Sequence, residues 1–338
     1  MKAAVVEFAG RLVIREVPEP PMGKYQARCK MLFGAVCTGT DTHIVQDAFL
    51  WKSNYPTILG HESVGRVVEV GEGVRHLKVG EVVTRIGTLP TPELDTTWGG
   101  FVEWGIAHDF RAMQEDGLPE SEWTAYRVQQ VVPEDISPAE ATMMITWRET
   151  WSYIRRLGVK AGSRVLVLGS GGNGLAFVAH AKILEASRVT LVGQQARLQK
   201  GREVGASHVA DYRDAEWQKR EALAVPDGYD VIIDAVGRKG MLDGALPLLA
   251  SGGTVGIYGI DDADDLQINP WHARGTFTVY NGGYDEAESH EDIVRLIREK
   301  KLKARHWLNL QTPFALDEIG RAFEALSSRQ LIKALIQL

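Results

Sequence analysis

Apolar and polar residues alternate with a period of two through much of the first 110 residues. MKAAVVEF, RLVIREV and QARCKMLFGAV each read as a strand, and SVGRVVEVG and EVVTRIG extend the series, bounded by glycine or charged turns. Helical periodicity is scarce until SPAEATMMITWRETWSYIRRLG. There Ser137 is the expected N-cap, Pro138 takes the first helical position and Glu140 places negative charge in the first turn. After Gly158 the texture changes. RVLVLG, RVTLVG, DVIIDAVG and GTVGIYG are short, nearly continuous apolar runs, with GLAFVAHAKILEA, ARLQKGREVG and KGMLDGALPLLA between them as helices. Runs apolar on both faces suit parallel strands covered by helices on either side. The last 55 residues hold two amphipathic helices, HEDIVRLIREK and LDEIGRAFEALSS, and a final apolar segment, IKALIQL.

Length and charge narrow this picture. A chain of 338 residues exceeds one ordinary core, so two domains are expected. The net charge of −6 and the absence of a basic tract argue against a general nucleic-acid binder. The opening MKAAVVEFAGRLVI has no basic stretch leading into an apolar one, so no signal peptide is expected. No apolar run approaches the roughly 18 residues of a membrane span. Two cysteines, Cys29 and Cys37, cannot frame a protein of this size with disulfides, which fits a cytoplasmic protein. No internal repeat or low-complexity tract is visible.

The most informative stretch is RVLVLGSGGNGLAFVAHAKILEA, which sets Gly169, Gly171 and Gly174 between a strand and a helix, with Gly172 in the same loop. In such a unit the first glycine permits the turn and the second lets a pyrophosphate approach the backbone. The third lets the helix pack close to the sheet, while the helix N-terminus faces the phosphates. The next strand ends at Gly193, where an NAD-preferring site usually carries an acid. Gln194, Gln195 and Arg197 follow and can donate hydrogen bonds or charge to a 2′-phosphate, which favours NADP(H) over NAD(H). The alternative is that Arg197 is a solvated helix residue and the site accepts either nucleotide.

The whole chain resembles the medium-chain dehydrogenases/reductases, which include zinc alcohol, polyol and sugar dehydrogenases. The resemblance rests on MKAAVV, VPEP, CTGTDTH, PTILGHESVGRVVEVGEGV with VGEVV, the glycine loop, REVGA and the closing AFEAL and IKALI; Gly60-His61-Glu62 is its most specific block. It implies an α/β protein with a GroES-like β-rich catalytic domain, 1–145 and 284–338, and a doubly wound Rossmann cofactor domain, 146–283. The active site is then expected in the cleft, and the protein as a homodimer or homotetramer. The implied activity is hydride transfer between NADP(H) and an alcohol, polyol or sugar, or its carbonyl.

The resemblance also implies a catalytic zinc. Cys37 and His61 match its ligands, with Glu62 beside them; thiolate, imidazole and carboxylate suit Zn²⁺. Two departures stand out. Two residues, Thr38 and Gly39, separate Cys37 from the Thr40-Asp41 pair where the family has one, so counting back from Asp41 points to Thr38 and counting forward from VPEP points to Cys37. Cys37 is preferred. The usual third ligand aligns with Ile145, which cannot bind metal, leaving Glu149 or Glu62 to complete the shell. The family's structural zinc needs four clustered thiolates after VGEVV, and RIGTLPTPELDTTWGGFVEW has none. Thr40 matches the hydroxyl that passes the alcohol proton onward, with His43 next in the relay. Trp51, Trp98 and Trp147 lie in segments expected to flank the cleft. Two rivals remain: a zinc-free NADPH-dependent reductase of the same fold, and a nicotinamide-nucleotide-binding protein without turnover.

Overall fold

Period-two alternation divides the first strand between two cores. Along Lys2–Phe8, Ala3 and Val5 enter one with Cys29, Met31, Ile58, Val67, Val83 and Val102, while Ala4 and Val6 enter the other. The second core is closed by the C-terminal residues Leu316, Ile319, Ala322, Leu326, Ala334 and Ile336, so the two ends of the chain build one body. The computed structural model describes residues 1–338. It divides into Met1–Ile145 with Glu286–Leu338, and Thr146–Asp285. The second boundary falls at 285/286, two residues past the expected 283/284.

The first unit is mostly antiparallel. A seven-stranded sheet runs Phe314–Ala315, Ala334–Gln337, Gln26–Val36, Glu62–Val70, Val82–Thr84, Val131–Val132, with Trp104–His108 also paired to the long Gln26–Val36 strand. A four-stranded sheet holds Arg11–Glu16, Lys2–Phe8, Thr57–Ile58 and Asp95–Thr96. Ser137 caps its helix as expected, accepting the Glu140 N–H with Pro138 just inside. Short helices at Phe110–Glu115 and Glu120–Trp123, and a helical turn through Thr38–Val45, occur where the pattern shows none. Each is too brief to display a helical period.

The second unit is a six-stranded sheet, parallel throughout, in the order His208–Asp211, Arg188–Gly193, Arg164–Leu168, Tyr229–Asp234, Leu249–Ile257, Thr278–Tyr280. Numbered along the chain, that order is 3-2-1-4-5-6. The direction of winding reverses between Arg164–Leu168 and Tyr229–Asp234, which opens a crevice at their carboxyl ends, where open α/β sheets bind ligands. The glycine loop leaves from the first of these strands. No helix of the protein is long and apolar enough to cross a membrane.

Candidate functional site

Strand register assembles one polar cluster in the first unit. Ala35 pairs with Glu62 on one side, and Val36 pairs with Ala334 on the other. Cys37, one step beyond Val36, therefore emerges between Glu62 and Lys333. All three are buried. Lys333 Nζ donates to Glu62 Oε1 at 2.6 Å and also to Oε2. Burial works against a charged lysine, but Cys37 and Glu62 outweigh it and raise its pKa.

His61 completes the cluster. One donor atom each from Cys37, His61 and Glu62 lies within 4.8 Å of the others. Asp41, wholly buried, accepts the Cys37 N–H at 2.8 Å through Oδ2 and lies 3.3 Å from His61 Nδ1 through Oδ1. That contact assigns the proton to Nδ1 and turns Nε2 toward Glu62 Oε1, 3.8 Å away. Burial opposes charge on the ring, yet Asp41 and then Cys37 push its pKa up to about 10. A metal ion at Nε2 would displace a proton.

The turn after Cys37 explains its spacing. Thr38–Thr42 is a single π-helical turn leading into His43–Val45. A π turn holds one residue more than an α turn. The extra residue is thus absorbed locally, Asp41 still reaches back to Cys37, and Thr38 stands in the turn outside the donor cluster. Thr40 and His43 are both half-buried on this segment, and the His43 N–H donates to the Thr40 carbonyl. An aromatic group borders His61: Trp98 lies 5.2 Å from it, and Phe49 and Trp51 stand 6.3 and 6.0 Å from Trp98 between ring centres. Ile145 is fully buried, and Glu149, in the second unit, accepts the Tyr258 hydroxyl at 3.2 Å.

In the second unit the three loop glycines meet different constraints. Gly169 has φ +109°, and a β-carbon there would sit 2.6 Å from Val236. A β-carbon on Gly174 would lie 1.9 Å from the Gly169 carbonyl oxygen, so the helix Gly172–Ile183 crosses the loop at a distance that only glycine permits. Gly171 differs, because its β-carbon would meet nothing within 4 Å. This is the open backbone that a pyrophosphate needs, at the amino end of a twelve-residue helix. Gly193 is buried at its strand end, Gln194 and Arg197 are half-buried and Gln195 is exposed.

Residues 172–296 match the family model described as zinc-binding dehydrogenase, and residues 23–118 match the alcohol dehydrogenase GroES-like domain. Together they span well over half of the chain. The chain belongs to the medium-chain dehydrogenase/reductase family. It is an alcohol-dehydrogenase-like oxidoreductase. A sorbitol dehydrogenase of Halalkalibacterium halodurans is 26% identical, with 97% of this chain and 96% of the relative aligned. Among solved structures, the 2R,3R-butanediol dehydrogenase of Bacillus subtilis superposes with TM-score 0.82 at 23% identity, covering 100% of this chain and 99% of that one. A Sinorhizobium meliloti 1021 protein bound to NADP gives TM-score 0.79 at 24% identity, covering 100% and 99%.

The donors of this medium-chain dehydrogenase fit a zinc ion in type and number. A thiolate, an imidazole oriented by a carboxylate, and a second carboxylate are the donor types used by three-ligand zinc sites that keep a fourth position open. Two residues of the cluster, Asp41 and Lys333, stand outside the donors expected from the sequence. Lys333 had a visible signal, since it is the one charge inside the apolar closing segment IKALIQL, and a buried lysine requires a partner. The partner, 271 positions away, is set by register alone.

Proposed function

We propose that this dehydrogenase transfers hydride between NADP(H) and an alcohol, most simply a polyol or diol, and the matching carbonyl, with Zn²⁺ held by Cys37, His61 and Glu62. The observation that carries this reading is the convergence of those three donor atoms within 4.8 Å, beside an Asp41 that orients the imidazole. When bound there, Zn²⁺ supplies Lewis-acid polarisation of the substrate oxygen. Cys37 and Glu62 contribute the negative charge that holds the ion, and Lys333 limits that charge by sharing Glu62. Thr40 takes the alcohol proton, and His43, on the same short turn, passes it toward solvent. Phe49, Trp51 and Trp98 offer a wall for the apolar face of the substrate. The sorbitol and butanediol dehydrogenase relatives support the polyol or diol class.

The loop of Gly169, Gly171 and Gly172 receives the pyrophosphate, and Gly174 lets the helix pack against that loop. Gly193 removes the carboxylate that would repel a 2′-phosphate, and Gln194, Gln195 and Arg197 supply donors for it. A panel of alcohols with NADP⁺, assayed before and after removal of metal by dipicolinate, tests the proposal. Activity should fall more than tenfold and return with added Zn²⁺.

A second reading, a zinc-free reductase, draws on two observations. Lys333 engages both oxygens of Glu62, and a buried Ile145 takes the usual third-ligand position. Full activity after chelation, with reduction of a carbonyl or activated double bond by NADPH, would favour it.

A further inference from the structure

Two neighbouring parallel strands bring the glycine loop against the end of the next strand. Arg164–Leu168 pairs with Arg188–Gly193 up to Leu168 opposite Val192, and the Gly169 N–H donates to the Val192 carbonyl at 2.8 Å. The following residue, Ser170, therefore lies beside Gly193. Its Oγ accepts the Gln194 N–H at 3.1 Å, which ties the phosphate loop to the start of helix Gln195–Val204. A β-carbon on residue 193 would lie 2.4 Å from Ser170 Cβ, 2.6 Å from its Oγ and 3.5 Å from its Cα. Carbon atoms in contact sit about 3.5–4.0 Å apart. Because the β-carbon of Ser170 is attached directly to the backbone, no rotamer moves it away.

We propose that Ser170 is a specificity-determining residue for the nucleotide: with Gly193 it forms a steric lock that keeps any side chain, and hence a carboxylate, from the strand end that faces the adenosine ribose. The lock rests on the NADP(H) reading given above and extends it. Absence of an acid at residue 193 is enforced from the neighbouring loop, so the ligand selected is an adenine nucleotide carrying a 2′-phosphate. The single exchange Gly193→Asp, which the strand end alone suggests as a route to NAD(H), then meets Ser170 before it meets a ribose. Two changes are needed. Ser170→Gly removes the obstructing β-carbon, whereas Ser170→Ala removes only the hydroxyl and leaves the clash.

Fluorescence titrations of the full chain with NADPH and with NADH, paired with thermal unfolding of the nucleotide-free protein, test the lock. Gly193→Asp alone should weaken both nucleotides at least tenfold and lower the melting temperature. Ser170→Gly combined with Gly193→Asp should regain melting temperature and bind NADH at least tenfold more tightly than Gly193→Asp does. Ser170→Ala combined with Gly193→Asp should regain neither. The lock is overturned if Gly193→Asp alone turns preference to NADH at an unchanged melting temperature, if the alanine combination rescues as well as the glycine one, or if neither combination rescues. Equal affinity of the unaltered protein for the two nucleotides would refute the NADP(H) reading instead, and the melting temperatures would still judge the lock.

Discussion

The ammonium of Lys333 and a metal ion make claims on the same carboxylate. Lys333 and Glu62 are 2% and 1% exposed, so neither has water to fall back on. Removing one member of such a buried pair typically costs about 3–5 kcal/mol, because the other charge loses its partner in the interior. His61 stays 3.8 Å from Glu62 and offsets part of that cost, so Lys333→Met should destabilise the metal-free protein by up to that amount. A divalent cation at Cys37, His61 and Glu62 replaces the missing charge, so added Zn²⁺ should recover more stability in the variant than in the unaltered protein. Urea unfolding of both proteins, with and without zinc, reads the difference. Equal gains in the two would contradict a shared claim on Glu62. The other thiol offers no competing site: burial pushes Cys29 up to about 12, which keeps it protonated and inert.

At the scale of elements, the glycine loop separates folding from binding. Gly171→Ala adds a methyl to open space at a backbone conformation of φ −78° and ψ −174°, which alanine adopts without strain. It should leave the melting temperature nearly unchanged while weakening NADPH at least tenfold. Gly174→Ala drives a methyl onto the Gly169 carbonyl and should lower both stability and affinity. Calorimetry alongside NADPH titration distinguishes them, and a Gly171→Ala protein that binds NADPH normally would contradict the phosphate assignment. The strand-turn-helix unit was readable in the sequence because strand, glycine spacing and helix are all local. The extra residue after Cys37 was visible only as a counting ambiguity between Cys37 and Thr38. Its resolution as a π turn depends on the contact Asp41 makes back to Cys37, which no short-range pattern specifies. Ser170 was hidden for the same reason, as the middle residue of Gly-x-Gly acquires a role only through the adjacent strand.

For the molecule as a whole, the residues proposed for the two chemistries fall in separate units. The proposed metal donors Cys37, His61 and Glu62 all lie within Met1–Ile145, and the glycine loop with Gly193 lies within Thr146–Asp285. The family resemblance reached both units because its motifs are spread along the chain, and the strand order 3-2-1-4-5-6 agrees with the doubly wound sheet expected from alternating strands and helices. The pairing of the chain's closing strand with Gln26–Val36 was not legible, since the apolar run IKALIQL fits a buried helix segment or a strand equally well. That pairing delivers Lys333 to the donors and sets the charge any bound ion would meet. Zinc content per chain, measured by mass spectrometry on freshly purified protein and on Cys37→Ser, tests the account most directly. It predicts about one zinc per chain in the unaltered protein and almost none in the variant; an unaltered protein that oxidises alcohols with NADP⁺ while carrying no zinc would contradict it.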